Sequence, residues 1–314
     1  MIDIQETQIK LKEHLAAHSL EFFPHHDFKA VYEHSLFPPG KLFRPLLAYS
    51  IFMDIQKDDN YNFHKKTDIS YFCSALEVHH TYTLIHDDLP CMDNDDERRG
   101  RPSAHTKYNE WKALLAGDGL LNMSYGLISK INNKNDRLIN RIFSWCLGPR
   151  GLIQGQMLDL SGEMTSSFEN IVLTHKLKTS RLIQSAILCG SLCSDKINRS
   201  YLCDLARIGE DLGLLFQFFD DLSELVDEQL TKHEKEVNPW LYYSDNSLNR
   251  TIKSLERTLE LINKYELYHI QLVICEYLTK MKNVFKINES IILKHIKKGQ
   301  EAKNFSLAPL MSLF

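Results

Sequence analysis

The sequence predicts an all-α chain organised as one domain over residues 1–314, and three observations carry that reading. Thirteen glycines and nine prolines punctuate 314 residues, about 7% against the ~12% of average usage. All-β sandwiches and barrels need turn signals about every 8–12 residues, and the spacing here is too sparse for them. The apolar residues that follow Tyr201, namely Leu205, Ile208, Leu212, Leu215, Phe219 and Leu222, alternate steps of three and four and so draw one stripe along a helix.

Taken in order, the same periodicity places helices at roughly 3–20, 42–56, 68–88, 109–131, 136–160, 174–193, 201–222, 246–265 and 268–282. Turn residues occupy the breaks: Pro38-Pro39-Gly40, the polar run from Asp93 to Pro102, Asn132-Asn133 and Asn238-Pro239. The Lys-rich stretch 280–303 reads as a solvated helix face. No internal repeat or low-complexity segment interrupts this pattern.

Composition narrows the function. A formal charge of −4 with 43% hydrophobic residues describes an ordinary globular chain with no global positive field for nucleic acid. No apolar run approaches the roughly 18–20 residues of a membrane span. The opening residues, MIDIQETQIK, lack a basic-then-apolar secretory pattern. The seven cysteines form no CxxC pair, and Cys189 and Cys193 are spaced as neighbours on one helix turn. A reducing, cytoplasmic setting is expected.

Two acidic clusters carry the chemistry. Asp87 and Asp88 end an apolar helical run, Pro90 interrupts it, and Asp93, Asp95 and Asp96 follow. So many carboxylates repel one another without a cation, and oxygen-only ligands suit a hard ion such as Mg²⁺, which bridges carboxylates to phosphates. Arg98, Arg99 and Arg101 follow at once, and guanidinium forks match phosphate oxygens. In FQFFDDLSELVDE, Asp220 and Glu224 are four residues apart and share a helix face. Gln217 and Gly213 fall within about 60° of them, with apolar residues on both sides, so the helix is expected to be buried nearly all round. Lys41 and Arg44 form a basic pair at a helix start, where backbone N–H groups also favour anions. His80, seven residues before Asp87, lies on the same helix face.

These residues, in this order, resemble the polyprenyl diphosphate synthase family, in particular its bacterial farnesyl diphosphate synthases. The resemblance runs from about residue 37 to 239. Asp87-Asp88-Leu89-Pro90-Cys91-Met92-Asp93 matches the form DDxxxxD and is followed by Arg98-Arg99-Gly100. Gly155 to Leu160 resembles GQxxDL, and Phe216 to Asp221 resembles the second acidic motif.

The resemblance implies a helical bundle around a central cavity, a homodimer, and Mg²⁺, three ions per site, with Mn²⁺ as a substitute. By position, Lys41, Arg44, His80 and Arg99 hold the diphosphate of isopentenyl diphosphate. Asp87, Asp88 and Asp93 bind metal together with Asp220, Asp221 and Glu224. Arg98, Lys178, Thr179, Gln217 and a lysine at 232 or 235 contact an allylic diphosphate. Arg98, Lys178, Thr179 and Gln217 assist its ionisation. Tyr82 and Thr83, five and four residues before Asp87, form the floor of the product pocket, and the Tyr82 ring implies a fifteen-carbon product. The activity implied is condensation of isopentenyl diphosphate with dimethylallyl or geranyl diphosphate.

Four positions depart from the pattern. Pro39-Gly40-Lys41-Leu42 stands where GGKR is usual, DDLSE where DDxxD is usual, and Phe219 where a polar residue is common. The segment KHEKEVNP is shorter than the usual lysine-bearing loop, leaving Lys232 and Lys235 three positions apart. Two other readings use the same residues. One is a terpene cyclase, which has no need of the Lys41, Arg44, His80 and Arg99 set. The other is a weakly active or non-catalytic paralogue serving as a subunit, which the altered second motif favours.

Overall fold

The computed structural model describes residues 1–58, 60–299 and 305–313. The side chains of Lys232, His233 and Gly299 lie outside the described set. Among the described residues the chain forms sixteen α-helices and one two-stranded hairpin. They fall into two compact units, residues 1–143 with 188–197, and residues 144–187 with 198–314.

The first unit holds α1 (Ile4–Leu20), α2 (Lys29–Leu36), α3 (Phe43–Gln56), α4 (Asp68–Asp87), α5 (Ala104–Lys107) and α6 (Glu110–Ile128). It also holds the start of α7 (Asp136–Leu147). Polar caps fix several starts by accepting the free N–H groups of a first turn. Asp3 accepts from Glu6 N at 2.9 Å, Thr67 from Ser70 N at 3.3 Å, and Asn109 from Lys112 N at 3.0 Å. Helix α3 is buried continuously from Pro45 to Asp54, and α4 buries thirteen of its residues. Neither therefore shows the one-sided polarity of a surface helix. Helix α4 packs most extensively on α6 and next on α3. Its C-terminus delivers Asp87 and Asp88 to a loop that closes through Asp93 N to Asp87 O at 2.9 Å. Strands β1 (Glu97–Arg98) and β2 (Arg101–Pro102) then pair antiparallel and hold the arginine triplet in a hairpin.

The second unit holds the end of α7, α8 (Leu152–Leu160) and α9 (Phe168–His175), then a π-helical turn (Lys176–Ser180) that leads into α10 (Arg181–Leu192), whose residues from 188 on belong to the first unit. Helices α11 (Leu202–Glu224), α12 (Lys232–Val237), α13 (Pro239–Tyr242), α14 (Ser244–Tyr265), α15 (Tyr268–Gly299) and α16 (Ala308–Met311) complete it. Helix α11 packs chiefly on α14 and on the π-helical turn. Asp211 of α11, 1% exposed, is paired with Arg257 of α14, Nη2 to Oδ1 at 2.7 Å. A buried carboxylate needs such a partner, so this pair fixes the register of the two helices.

Three expectations change. The helix at 136–160 is two helices, broken at Gly148-Pro149-Arg150-Gly151, because Pro149 supplies no N–H and its ring opposes continuation. The helix at 174–193 starts earlier, at Phe168, and carries an inserted π-helical turn. The last long helix extends to Gly299 rather than ending near 282. There Lys286, Lys294, Lys297 and Lys298 are exposed, so the described part of the Lys-rich stretch is a solvated face. Among the described residues no helix is long and apolar enough to cross a membrane.

Candidate active site

In the first unit the basic and acidic residues form two neighbouring groups. Arg44, on the first turn of α3, approaches His80 of α4 with Nη1 at 3.2 Å from Nε2. Burial and the adjacent Arg44 and Arg99 hold the His80 imidazole well below its ordinary pKa, so it is neutral and can donate one hydrogen bond. Arg99 has a left-handed backbone, φ 57°, and its guanidinium lies over Gly40. A Cβ at position 40 would come within 2.7 Å of Arg99 Nη2, so only glycine leaves room for that approach. Lys41 is exposed and precedes α3 rather than starting it. Its carbonyl accepts from Gln8 at 3.0 Å.

The second group is Asp88 with Arg98. Asp88 is 3% exposed and accepts from Arg98 Nε at 2.9 Å, while Arg98 also reaches Asp95 at 2.9 Å. Burial pushes the Asp88 carboxyl upward, and the guanidinium pulls it back. Asp88, Arg98 and Arg99 line one cavity of about 260 Å³, whose apolar wall includes Leu84 and Ile85. Tyr82 and Thr83 lie outside that lining. Tyr82 is 6% exposed, with its ring edge-on to His79 at 4.5 Å. Thr83 is half-buried and donates to the carbonyl of His80 at 2.8 Å.

In the second unit the π-helical turn presents Lys178 and Thr179. Such turns insert one residue into a helix and so redirect side chains. The turn packs its backbone directly on Gly155 of α8, where a Cβ would collide with Leu177 and Lys178. Lys178 is paired with Asp159, four residues along α8. Thr179 Oγ1 donates to Gln217 Oε1 at 2.7 Å, and Gln217 Nε2 donates to Asp221 Oδ1 at 2.9 Å. Asn238 donates to the carbonyl of Asp221 at 2.6 Å and to Glu224 Oε2 at 3.0 Å. Burial raises Glu224 to about 7, and Asp221 well above the carboxylate range with Glu224 adding to the effect.

The acidic stripe differs from expectation. Asp221 is the buried member, 6% exposed, whereas Asp220 is exposed. Phe219 is fully buried and meets Phe285 of α15 edge-on at 5.4 Å. Lys235 is exposed on α12, and the Lys232 side chain is outside the described residues.

Glu77, Asp159, His175 and Asn238 were absent from the sequence-derived set. Glu77 is the one carboxylate in the uncharged helical run 69–85, which is the signal that marks it. Asn238 stands before Pro239, and its capping of Trp240 N explains its place; its bond to Glu224 has no local sequence sign.

The donor set fits Mg²⁺. Among the described residues no three His, Cys, Asp or Glu side chains converge into a ready-made cage. Mg²⁺ rarely uses one, taking one or two carboxylates with water and phosphate oxygens. Asp221 Oδ2 is buried without a hydrogen-bond partner. His175 Nε2 stands 3.7 Å away, and burial lowers that imidazole to about 4, so it is neutral. A buried oxygen of this kind is a hard donor that a cation would satisfy.

The profile of the family described as polyprenyl synthetase matches residues 25–238. A farnesyl diphosphate synthase of Geobacillus stearothermophilus is 37% identical over 204 residues, 63% of this chain and 66% of that one. One from Micrococcus luteus is 35% identical over 233 residues, 73% of this chain and 77% of its own length. The chain thus spans just under two thirds of the first relative and about three quarters of the second. Among solved structures, a geranyltranstransferase of Thermotoga maritima superposes with a TM-score of 0.73 at 26% identity, covering 88% of this chain and 98% of that one. The chain belongs to the polyprenyl synthetase family.

Proposed function

We propose that the chain is a prenyltransferase that condenses isopentenyl diphosphate with dimethylallyl or geranyl diphosphate to give farnesyl diphosphate. The observation that carries this reading is a second basic group, Arg44, His80 and Arg99, beside the Asp88–Arg98 pair, with Arg99 bordering the same cavity. An enzyme that ionised a single diphosphate would have no use for the first group.

Arg44, His80 and Arg99, with Lys41 reaching from its exposed position, hold the diphosphate of isopentenyl diphosphate by forked and point-charge hydrogen bonds. Asp87, Asp88 and Asp93 in the first unit would hold Mg²⁺, as would Asp220, Asp221 and Glu224 in the second; the family resemblance implies three ions, with Mn²⁺ able to substitute. A metal held there would supply positive charge to offset that of the diphosphate leaving group.

Arg98 and Lys178 add fixed positive charge at the leaving group, for which Lys178 exchanges Asp159 for diphosphate oxygens. Lys235, and by sequence Lys232, extend that contact. The Thr179 hydroxyl and the Gln217 side-chain carbonyl, hydrogen-bonded to each other, offer oxygen lone pairs to the allylic cation, and neither is readily alkylated. Apolar walls exclude water, which would otherwise quench the cation. The double bond of isopentenyl diphosphate then attacks, and a proton leaves to the departed diphosphate. Tyr82 closes the floor of the product pocket.

The setting proposed is cytoplasmic, supported by seven free cysteines, and the working form a homodimer. The test is product analysis of the purified chain with isopentenyl diphosphate, each allylic diphosphate and Mg²⁺, with sedimentation velocity on the same preparation. A fifteen-carbon diphosphate supports the reading. Turnover of the allylic substrate alone favours a cyclase, and inactivity with every substrate favours a paralogue.

A further inference from the structure

Glu77 has no part in the roles above, yet it sits beside Arg99 of the first basic group. It is on α4, one turn before His80, and 3% exposed. Its Oε1 lies 3.8 Å from Arg99 Nη2. The Arg44 charge and the Gly40 backbone also favour its ionised form. One carboxylate thus lies against the hairpin of β1 and β2 and is favoured electrostatically by two stretches far away in sequence, the loop before α3 and the first turn of α3.

Burying a single carboxylate is unfavourable unless charge and hydrogen bonds compensate it. Burial pushes the Glu77 carboxyl upward, and the groups proposed to grip a diphosphate, Arg99 first and then Arg44, pull it back. Two guanidiniums brought together without an anion repel each other, and long side chains lose rotamer freedom when fixed. A carboxylate between them offsets both effects before substrate arrives, which is preorganisation of the binding groups. Gly40 completes the arrangement, because its missing Cβ lets the Arg99 guanidinium lie flat on the loop, 2.9 Å from Cζ to where that Cβ would stand.

We infer that Glu77 is a positioning residue, holding the Arg44 and Arg99 guanidiniums and the Gly40 backbone ready for the diphosphate of isopentenyl diphosphate. This rests on the substrate reading given above for Arg44, His80 and Arg99.

The test is calorimetric titration of isopentenyl diphosphate into the full chain without metal or allylic substrate. Wild type, Glu77→Gln, Glu77→Asp and Gly40→Ala are compared, with thermal melts and steady-state kinetics alongside. Glu77→Gln is expected to weaken binding at least tenfold and to raise the KM for isopentenyl diphosphate equally, with the allylic KM within twofold. Glu77→Asp is expected to recover part of the loss. Gly40→Ala keeps the carboxylate but displaces Arg99, and is expected to weaken binding as well; it carries the test alone if Glu77→Gln does not fold. Unchanged or tighter binding in Glu77→Gln, or unchanged binding in Gly40→Ala, overturns the inference. A wild-type chain that binds no isopentenyl diphosphate overturns the substrate reading instead.

Discussion

The Thr179 hydroxyl donates to the side-chain carbonyl of Gln217 at 2.7 Å, tying the π-helical turn to α11. This bond fixes which way the Gln217 amide points. Its oxygen faces Thr179, so its nitrogen faces Asp221 Oδ1 at 2.9 Å. Thr179→Val removes the donor while nearly keeping the shape, leaving the amide free to turn over. Partners that orient a metal-binding carboxylate typically matter by about 10–100-fold. The turnover number is therefore expected to fall by a factor in that range, with Thr179→Ser recovering most of it. Steady-state kinetics with both substrates checks this, and rates within twofold of wild type would count against it.

Glu224 accepts from Asn238 at 3.0 Å, and the same amide donates to the carbonyl of Asp221 at 2.6 Å. From the motif alone, Glu224→Asp restores DDxxD and is expected to be tolerated or to improve the rate. The Asn238 bond reverses that direction, because a side chain one methylene shorter withdraws from a donor held by a second bond. Glu224→Asp and Asn238→Ala are each expected to lower turnover about tenfold, comparable to the loss of a hydrogen bond to a charged group. A rate at or above wild type for Glu224→Asp would support the motif-based expectation instead.

Acid should unfold the chain from near pH 6.5 downward. His79 is fully buried, with Nδ1 3.0 Å from Ser124 Oγ, and burial lowers its pKa from 6.5 to about 3. The unfolded chain binds this proton more readily, so stability is complete above the unfolded pKa and declines as pH falls toward the folded one. Between pH 6.5 and pH 5 His79 costs about 2 kcal/mol, from 1.36 kcal/mol per unit. His14, lowered to about 4 mainly by burial, acts in the same direction. Urea midpoints at pH 7 and pH 5 check this: the drop should be about 2 kcal/mol smaller in His79→Gln than in wild type.

Much of the fold was legible because helical periodicity depends only on neighbours three and four residues apart. The helices beginning at Ile4, Phe43, Asp68 and Leu202 were expected within a residue. Short α5, α12 and α13 lack enough turns to show a period. The break at Gly148-Pro149-Arg150-Gly151 carries its own Gly and Pro signal, but apolar periodicity on both sides carried the helix across it. In the site, the acidic motifs stood out because carboxylates cluster in sequence. Glu77 and Asn238 did not, since their partners Arg99 and Glu224 sit 22 and 14 positions away and only folding brings them together. The burial of Asp221 rather than Asp220 is not legible in the sequence, because one rotation of 100° separates them and α11 has apolar residues on both sides of that choice.

Tyr82→Ala tests the product floor. Truncating a buried aromatic leaves a cavity and costs about 3–5 kcal/mol where the core cannot collapse. The ring's contact with His79 at 4.5 Å is lost as well. Products are expected to lengthen to twenty carbons or more, with a lower melting temperature. Mass analysis of the extracted products decides this. A variant that still stops at fifteen carbons would place the floor at other residues.

The most direct measurement of the proposed activity is the rate at which wild-type protein incorporates isopentenyl diphosphate into geranyl diphosphate, with Mg²⁺ and then with excess chelator. The expected result is farnesyl diphosphate with Mg²⁺ and a rate orders of magnitude lower in chelator, matched by Asp87→Ala with its helical content intact. A wild-type chain that leaves isopentenyl diphosphate unconsumed with every allylic partner, or that runs at full rate in chelator, would contradict it.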